Sequence, residues 1–424
     1  MLLKIVQYIL NLGPTVILPL TITIIGIIFG LGFKKSFKSG LTIGIGFLGI
    51  NLVVGLLTSN LGTATHEMVT RYGLHLNVLD VGWPAAAAIS WASPIAAIMI
   101  PIAMLVNLGL LLLKFTDVVD IDIWNYWHFT AAGATVYALT SGNWLMAILA
   151  GVIYEIAVLK IADWTAPMVQ NFFGLDGVSL PTGSTAAYGL IGIPIAKVVG
   201  KIPGIKNLKA DPESIQKKFG IFGEPMMMGL ILGMLIGLLA GYDIGKMLQL
   251  GIAMGGVMFL MPRMVKILME GLIPISDGVR EFLQKRNLGK GRNLTIGLDA
   301  AVSVGHPAVI ATALVLVPIT LFLSVILPGN QVLPFGDLTT ICFYVSFIVA
   351  STNGNIVHSV ITGTIVMALA LLMATNIAPF HTEIAKMAQF TMPKGTTMIS
   401  SLDLGGNFLN WIVIKIFQLF TGTL

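Results

Sequence analysis

Residues 328–337 read Pro-Gly-Asn-Gln-Val-Leu-Pro-Phe-Gly-Asp, and they stand between two strongly apolar runs, 307–327 and 338–350. A run of about 20 apolar residues crosses a bilayer as a helix, whereas prolines, glycines and amides interrupt one. Irregular backbone at membrane depth is tolerated only where it is buried in protein or lines a water-filled cavity. The decapeptide therefore predicts a broken segment between two membrane spans, with Asp337 at its end.

The same alternation of apolar runs and breaks continues along the 424 residues. Hydrophobic residues make up 56% of the chain and charged residues 10%, against about 25% charged in soluble proteins. This excludes a water-soluble enzyme and predicts an all-α polytopic membrane protein of ten or eleven spans. Two further breaks are expected, a re-entrant hairpin over 81–91 and a broken region over 177–184. A span over 40–59 is expected to end in a polar stretch before residue 75.

The basic residues form two clusters, over 197–218 and over 263–292, and two predicted spans separate them, 225–241 and 247–262. Basic residues favour the cytoplasmic side of a membrane. Both clusters are therefore expected to be cytoplasmic loops. A soluble partner protein would dock there, although setting the topology is a sufficient reason for the charges. The net charge of +5 gives no reason to expect a nucleic acid ligand.

Several chemistries are excluded because their motifs are absent. The sequence has no G-x-x-x-x-G-K-[ST] for nucleotide hydrolysis, and no H-E-x-x-H or G-x-S-x-G for hydrolases. The six histidines are scattered, and the one cysteine, Cys342, lies in an apolar run, where it is expected to act as a small hydrophobe. No metal and no cofactor is expected. A carrier of a neutral polar solute remains.

Polar side chains in the broken segments are the candidate site, because an ionisable group at bilayer depth costs at least about 2.5 kcal/mol. Carboxylate, imidazole, amide and hydroxyl groups suit the hydroxyls of a sugar alcohol. Asp337 ranks first and His306 second. A histidine at a helix start that bonds to a nearby carbonyl is an equally good explanation of His306. The predicted substrate-binding set is Asp337, His306, Asn330, Gln331, Glu224, Thr182, Ser184, His128, Trp91 and Asp299.

Three of these residues have ordinary alternatives. Trp91 and the aromatic cluster beside His128 are typical of a membrane interface, and Glu224 is favoured by the helix dipole at a helix start. Glu155, in the predicted span 144–161, is expected only to pair with another side chain or to reach the interface.

A weak internal repeat, 12–200 and 223–420, is suggested by two short matches. Residues 14–17 resemble 307–310, and residues 77–82 resemble 331–336. Repeated halves with breaks in matching positions indicate a transporter site near the midplane. Coincidence in so biased a composition is an equally good explanation.

The broken segments resemble the galactitol-type enzyme IIC component of the bacterial phosphoenolpyruvate:sugar phosphotransferase system (PTS), of the ascorbate-galactitol superfamily. The similarity runs nearly end to end. It is carried by Leu12–Thr15, Gly44–Phe47, Asp80–Pro84, Asp122–Asn125, Lys217–Pro225, Gly297–Asp299, Gly305–His306 and Pro328–Asp337.

The resemblance implies a single transmembrane domain over 1–424 with two discontinuous subdomains, a core transport domain and a V-motif dimerisation domain. It also implies a homodimer of about eleven-helix subunits, re-entrant hairpins and an elevator-type movement in the bacterial plasma membrane. The sugar alcohol would be phosphorylated during delivery by a phosphocysteine on a separate cytoplasmic IIB protein, which IIA recharges. The resemblance further implies that no IIA or IIB domain is fused and that the chain has no phosphoacceptor of its own. In that case Asp337 or His306 is expected to orient or deprotonate the attacking hydroxyl. Thr182 stands where a histidine is expected, which leaves galactitol, another hexitol or a pentitol open.

Two other classes compete with this interpretation. One is a proton- or sodium-coupled secondary transporter of polyols, in which Asp337 would relay protons. The other is a channel or a receptor, for which the sequence offers no positive support.

Overall fold

The computed structural model describes residues 14–72, 76–120, 122–208, 210, 224–285, 293–304, 306–392 and 396–422. Its first half contains α1 Pro14–Ile28, α2 Phe33–Tyr72, β1 Val78–Asp80, α3 Trp83–Trp91, α4 Ala96–Leu112, β2 Val118–Asp120, a 3-10 turn Ile123–Asn125, α5 Tyr126–Leu139, α6 Trp144–Phe173, β3 Val178–Ser179 and α7 Gly183–Val199. Its second half contains α8 Pro225–Ala240, α9 Ile244–Lys285, β4 Thr295–Gly297, α10 Ala301–Val304, α11 Pro307–Ile326, β5 Val332–Leu333, a 3-10 turn Leu338–Thr340, α12 Ile341–Ser351, α13 Ile356–Met387, β6 Met398–Ser400 and α14 Phe408–Thr421.

The order of elements in the first half recurs in the second, helix for helix and strand for strand. The two sheets follow the same rule. One has the order β5-β1-β6 and the other β2-β4-β3, and every pairing in both is parallel. Each sheet thus contains the first strand of one half, and this strand lies between the second and third strands of the other half.

The similar segments 77–82 and 331–336 are not equivalents in this order. They are neighbours, because Val78 pairs with Val332 and Leu79 with Leu333. By element order the counterpart of β1 is β4. The sequence similarity therefore reflects two strands that lie side by side in one sheet.

Local sequence explains six of the fourteen α-helix starts in the described residues. Pro84, Pro225 and Pro307 stand in the first turn of α3, α8 and α11, where a missing N–H costs nothing. Asn143, Asn355 and Asn407 cap α6, α13 and α14, each accepting a hydrogen bond from a backbone amide three residues on.

Membrane-spanning capacity is clear for part of the fold. Three helices, α6, α11 and α13, are long and apolar enough to cross a membrane, counted over the described residues. The pair α3 and α4 forms one further span or a re-entrant loop, because the two helices meet at 95°. Shorter apolar helices occur within α7, α8, α9, α14 and the 338–351 segment. The chain is thus an α-helical polytopic protein, and its few strands are too short to change that class.

Two helices are longer than the sequence predicts. Helix α2 continues through the polar stretch to Tyr72, and α9 continues through most of the predicted basic loop to Lys285. The second extension is amphipathic. Gly271, Ile275 and Gly278 are buried at helical spacing, whereas charged residues such as Arg263 and Lys266 are exposed. Six residues of the two basic clusters lie outside the described residues: Lys209, Lys217, Lys218, Arg286, Lys290 and Arg292.

Helices α1, α2, α8 and α9 pack chiefly on one another, and the remaining helices surround the two sheets. Close packing of α8 on α9 depends on small residues. Gly229 and Gly233 of α8 face Gly255 and Gly251 of α9, so that a Cβ on either α8 glycine would lie 2.9 Å from the facing Cα atom.

The first sheet requires a close backbone approach at Gly336, where β5 leaves it. A Cβ atom there would overlap the backbone of Val81 and Gly82. We expect Gly336→Ala to lower the free energy of unfolding by about 1–3 kcal/mol, because rigid backbone cannot yield to the methyl group. Thermal unfolding of the purified protein in detergent measures this. Gly109→Ala is the control, since its Cβ meets nothing within 4 Å. Equal midpoints for the two variants would contradict the close approach.

Candidate functional site

Polar residues lie at the carboxyl ends of the parallel strands in both sheets. This is the edge at which parallel sheets commonly bind ligands. Asp80, Asp337 and Ser401 to Asp403 follow the strands of the first sheet. Asp122, Asp299 and Thr182 follow those of the second. These residues form two carboxylate clusters, one for each sheet.

The first cluster is centred on Asp80 and Asp337, both completely buried. Asp80 accepts hydrogen bonds from the backbone amides of Gly82 (3.1 Å), Phe335 (3.2 Å) and Asp337 (2.9 Å). It therefore receives the amides that the breaks after β1 and β5 leave without a helical or sheet partner.

Asp337 likewise accepts hydrogen bonds, from the segments that follow β1 and β6. Its Oδ1 accepts from Trp83 N (2.6 Å) and Thr340 Oγ1 (3.4 Å). Its Oδ2 accepts from Ser401 Oγ (2.6 Å) and Asp403 N (3.1 Å). Both oxygens are thus occupied by the protein, and the geometry gives Asp337 a structural role first. Its predicted contact with the substrate stays a prediction.

The second cluster joins Asp122, Asp299, Thr182 and Asn125. Asp122 Oδ2 accepts from Asp299 N (3.2 Å), and Asp299 Oδ1 accepts from Ala301 N (2.7 Å). The Thr182 hydroxyl accepts from Ala300 N (2.7 Å) and lies 3.1 Å from Asn125 Oδ1 and 3.4 Å from Asp299 Oδ2. Two predicted site residues, Thr182 and Asp299, are therefore in direct contact.

A histidine joins the two clusters. His128 Nε2 lies 3.0 Å from Asp403 Oδ1, and both side chains are buried. Asp403 also donates its backbone amide to Asp337, and its charge acts on Asp299. On the other side, the His128 ring packs on Gly183, next to Thr182. The carboxyl ends of the two sheets thus meet around His128.

One atom at this junction has no partner. The buried Nδ1 of His128 makes no hydrogen bond within the described part of the chain. Its ring lies against Trp127, with the two centroids 3.7 Å apart. Asn407 secures the same region, because its amide donates to Gly183 O (3.2 Å) and to Tyr154 Oη (2.9 Å).

Several predicted site residues lie elsewhere or serve the fold. Asn330 uses its amide to shape the turn before β5, donating to Ser324 O (2.8 Å) and Val332 O (2.9 Å). The backbone of Gln331 pairs with Val78, and its side chain is only half-buried. His306 caps α11 through Nδ1, which accepts from Ala308 N (3.2 Å), and its ring packs on Phe172 and Phe173.

The other three predicted residues are spread over the fold. Glu224 is exposed at the start of α8, in the helix group that packs on α2 and α9. Trp91 is buried at the end of α3, and Ser184 is buried in the first turn of α7, beside Gly183. Of these three, Ser184 is nearest to the junction in sequence, directly after Gly183, on which the His128 ring packs.

The predicted substrate-binding set does not contain Asp80, Asp122, Asn125, Asp403 or Asn407, which the structure places in or beside the two clusters. A signal for the carboxylates was present. Each follows a short pair of apolar residues by one to four positions, as Asp80 follows Val78 and Leu79, and Asp403 follows Met398 and Ile399. The pairs are too short to be recognised as strands without the sheet that they form.

The expectation for Glu155 was wrong. Its side chain is 1% exposed in α6, and neither carboxyl oxygen has a hydrogen-bonding partner among the described residues. It neither pairs with a basic side chain there nor reaches the interface. In the same part of the chain, no group of three or more His, Cys, Asp or Glu is placed to hold a metal ion.

Long apolar helices surround a buried polar junction at the carboxyl ends of two short sheets. This arrangement is typical of a polytopic membrane transport protein. The chain matches the family described as "EIIC-GAT: PTS system sugar-specific permease component" over residues 8–395. It is 44% identical over 415 residues to the "PTS system galactitol-specific EIIC component" of Escherichia coli K12, covering 98% of this chain and 91% of that protein.

A second Escherichia coli K12 protein, described as "Putative permease IIC component", is 40% identical over 417 residues, covering 97% of this chain and 94% of its own length. The chain therefore belongs to the EIIC-GAT family of PTS permease components, as its broken segments indicated. It is accordingly an inner-membrane protein of sugar transport.

The bonds around Asp337 predict what its amide variant does. In Asp337→Asn one acceptor oxygen becomes an NH₂ group, which faces donors and leaves at least one of them unpaired. We expect a loss of about 1–3 kcal/mol of stability. Thermal unfolding measures this, with Glu383→Gln on the exposed side of α13 as the matched control. An unchanged midpoint together with lost substrate binding would instead make Asp337 a ligand.

Proposed function

We propose that this chain is the subunit that binds and translocates a sugar alcohol, galactitol or a related hexitol or pentitol. A separate IIB protein phosphorylates the sugar alcohol on the cytoplasmic side. The proposal rests on the chain's membership of the permease family and on the 44% identity to a galactitol-specific component. The junction around His128 is the proposed binding site.

The observation that carries this site is the His128–Asp403 contact of 3.0 Å between the two carboxylate clusters. A polyol presents hydroxyls that both donate and accept hydrogen bonds. Carboxylates accept, and the free Nδ1 of His128 completes the set with a group able to do either, depending on its tautomer. Thr182 and Asp299 stand on the opposite side of the junction as further polyol partners.

Phosphoryl transfer needs chiefly positioning and charge stabilisation, so the chain requires no nucleophile of its own. Its cysteine supports this division of labour, because Cys342 lies in α12 with its thiol donating to Thr339 O (3.2 Å). A carboxylate at the junction, Asp299 or Asp403, is placed to orient the attacking hydroxyl. Asp337 and His306 remain weaker candidates, because Asp337 already accepts four hydrogen bonds from the protein and His306 caps α11 through Nδ1.

The turn after α7 is the proposed docking face for IIB. It carries exposed Lys201 and Lys206, and it is tied to the start of α13. Asn355 Nδ2 donates to Leu208 O (3.0 Å), and His358 Nε2 lies 3.1 Å from Ile205 O. A basic, anchored turn suits an acidic partner surface.

The group formed by α1, α2, α8 and α9 is the proposed dimerisation domain, and the helices around the sheets form the proposed transport domain. The division is supported by the packing of the four helices chiefly on one another. An elevator-type movement of the second group against the first, in a homodimer with about eleven membrane helices per subunit, completes the proposal.

Substrate affinity tests the junction. We expect Asp403→Asn to raise the Kd for galactitol at least about tenfold, because a charge-assisted contact to His128 becomes a neutral one. Isothermal titration of the purified protein measures it, with Glu383→Gln as the control. Wild-type affinity in a folded Asp403→Asn protein would remove the junction from the binding site.

Uptake into right-side-out membrane vesicles, whose interior is the cytoplasmic side, tests the function itself. We expect polyol to accumulate as its phosphate, and only when phosphoenolpyruvate, the general phosphotransferase proteins, IIA and IIB are supplied. Accumulation of unmodified polyol driven by a proton or sodium gradient, without IIB, would contradict the proposal.

A further inference from the structure

A second polar site lies beside the junction, at the middle of α6. It contains Glu155 and Asp120, which the transport proposal does not use. Glu155 is 1% exposed and Asp120 is 4% exposed. Three of their four carboxyl oxygens, both of Glu155 and Oδ2 of Asp120, are buried without a hydrogen-bonding partner among the described residues. Such orphan oxygens are rare in folded proteins and point to a ligand.

The neighbours of the pair fix its position. Asp120 repels the Glu155 carboxyl group, and the backbone amide of Asn107 lies near that group without meeting the geometry of a hydrogen bond. Asn107, in α4, holds β2 with both ends of its side chain, donating to Val118 O (3.0 Å) and accepting from Asp120 N (3.1 Å). The remaining oxygen of Asp120 accepts from Asn125 Nδ2 (2.9 Å).

No basic side chain offsets this pair. Among the described residues no lysine or arginine is buried. Lys160, on the same helix, is exposed and pairs with Asp163 at 3.1 Å. Two ionised carboxylates in an apolar interior repel each other and lose their hydration, so the pair cannot stay fully ionised.

The second half of the fold shows that no carboxyl is needed at these places. Glu155 stands as far beyond its helix cap, Asn143, as Met367 stands beyond the equivalent cap, Asn355. Asp120 precedes the 3-10 turn as Phe335 does in the other half. Met367 and Phe335 are buried and apolar. The acidic pair is therefore an addition to the first half, not a requirement of the architecture.

We propose that Glu155 and Asp120 form a buried proton-binding site, in which the pair holds one proton in the folded protein. The site is continuous with the junction, because Asp120 contacts Asn125 and Asn125 contacts Thr182. Hydrogen bonds through Asn125 therefore connect the proton-binding site to Thr182, one of the proposed polyol partners.

The other titratable groups around the pair are few. Helix α5 contributes Tyr126, whose hydroxyl donates to Asp120 O (3.0 Å), and the segment after β2 contributes Asp122. The tyrosine of α6 itself, Tyr154, donates to Gly183 O (3.2 Å). On the other helices packed against α6, Tyr188 of α7 donates to Leu402 O, Tyr344 of α12 stacks on Tyr188, and Lys415 of α14 lies over Trp411.

Thermal unfolding of the purified full-length protein between pH 5 and pH 9 tests the site. A folded state that binds one more proton than the unfolded chain loses stability as pH rises, by about tenfold in the unfolding equilibrium per pH unit. We expect wild type to show this loss. Glu155→Gln, which is neutral at every pH, removes it. Glu155→Met, which copies Met367, also removes it and keeps the protein folded.

Matched measurements make the result decisive. Glu383→Gln, an exposed glutamate on α13, is expected to keep the wild-type pH dependence. Infrared spectra are expected to show a protonated carboxyl carbonyl band that Glu155→Gln lacks.

Wild-type pH dependence in Glu155→Gln and Glu155→Met would overturn the proposal. So would a midpoint that rises in sodium chloride over choline chloride for wild type but not for Glu155→Gln, because the ligand would then be sodium. The readout is stability, so its failure leaves the transport proposal untouched.

Discussion

The fold depends on one constraint, which is that backbone amides freed by a helix break inside an apolar protein must find acceptors. Here carboxylates supply them. Asp80 and Asp337 take amides from the breaks after β1, β5 and β6, and Asp122 takes the amide of Asp299 after β4. Because each sheet draws strands from both halves, these bonds also hold the halves together.

This solution concentrates negative charge at the centre of the molecule. The breaks and their neighbours bury Asp80, Asp120, Asp299, Asp337 and Asp403, whereas the described part of the chain buries no lysine or arginine. His128 is the basic group that meets them, between the two clusters. Fixed acceptors with few fixed donors suit a ligand rich in hydroxyls, and they also require protons to be held where carboxyls lack partners.

The class of the fold could be predicted because apolar runs and proline- or glycine-bounded breaks are local features of the sequence. The break at 328–337 contains β5 and ends at Asp337, and 81–91 contains α3, which meets α4 at 95°. The length of α9 could not be predicted, because charges on one exposed face of a helix resemble a loop when only composition is counted. The sheets could not be predicted either, because strands of two or three residues form only by pairing with segments far along the chain.

The site was predicted in part for the same reason. Thr182, Asp299 and His128 were selected because they are polar residues in or beside a break, and the structure brings them close together in the proposed site. Asn330 and His306 share that property, yet they shape a turn and cap a helix. Only the parallel pairing distinguishes the two groups, because it places the carboxyl ends of the strands at one junction.

A structure of the protein determined with galactitol bound tests the central claim most directly. The account predicts density for the polyol between His128 and Asp403 on one side and Thr182 and Asp299 on the other, with both sheets intact. Density beside Glu224 or Gln331, with the His128 junction closed and empty of substrate, would contradict it.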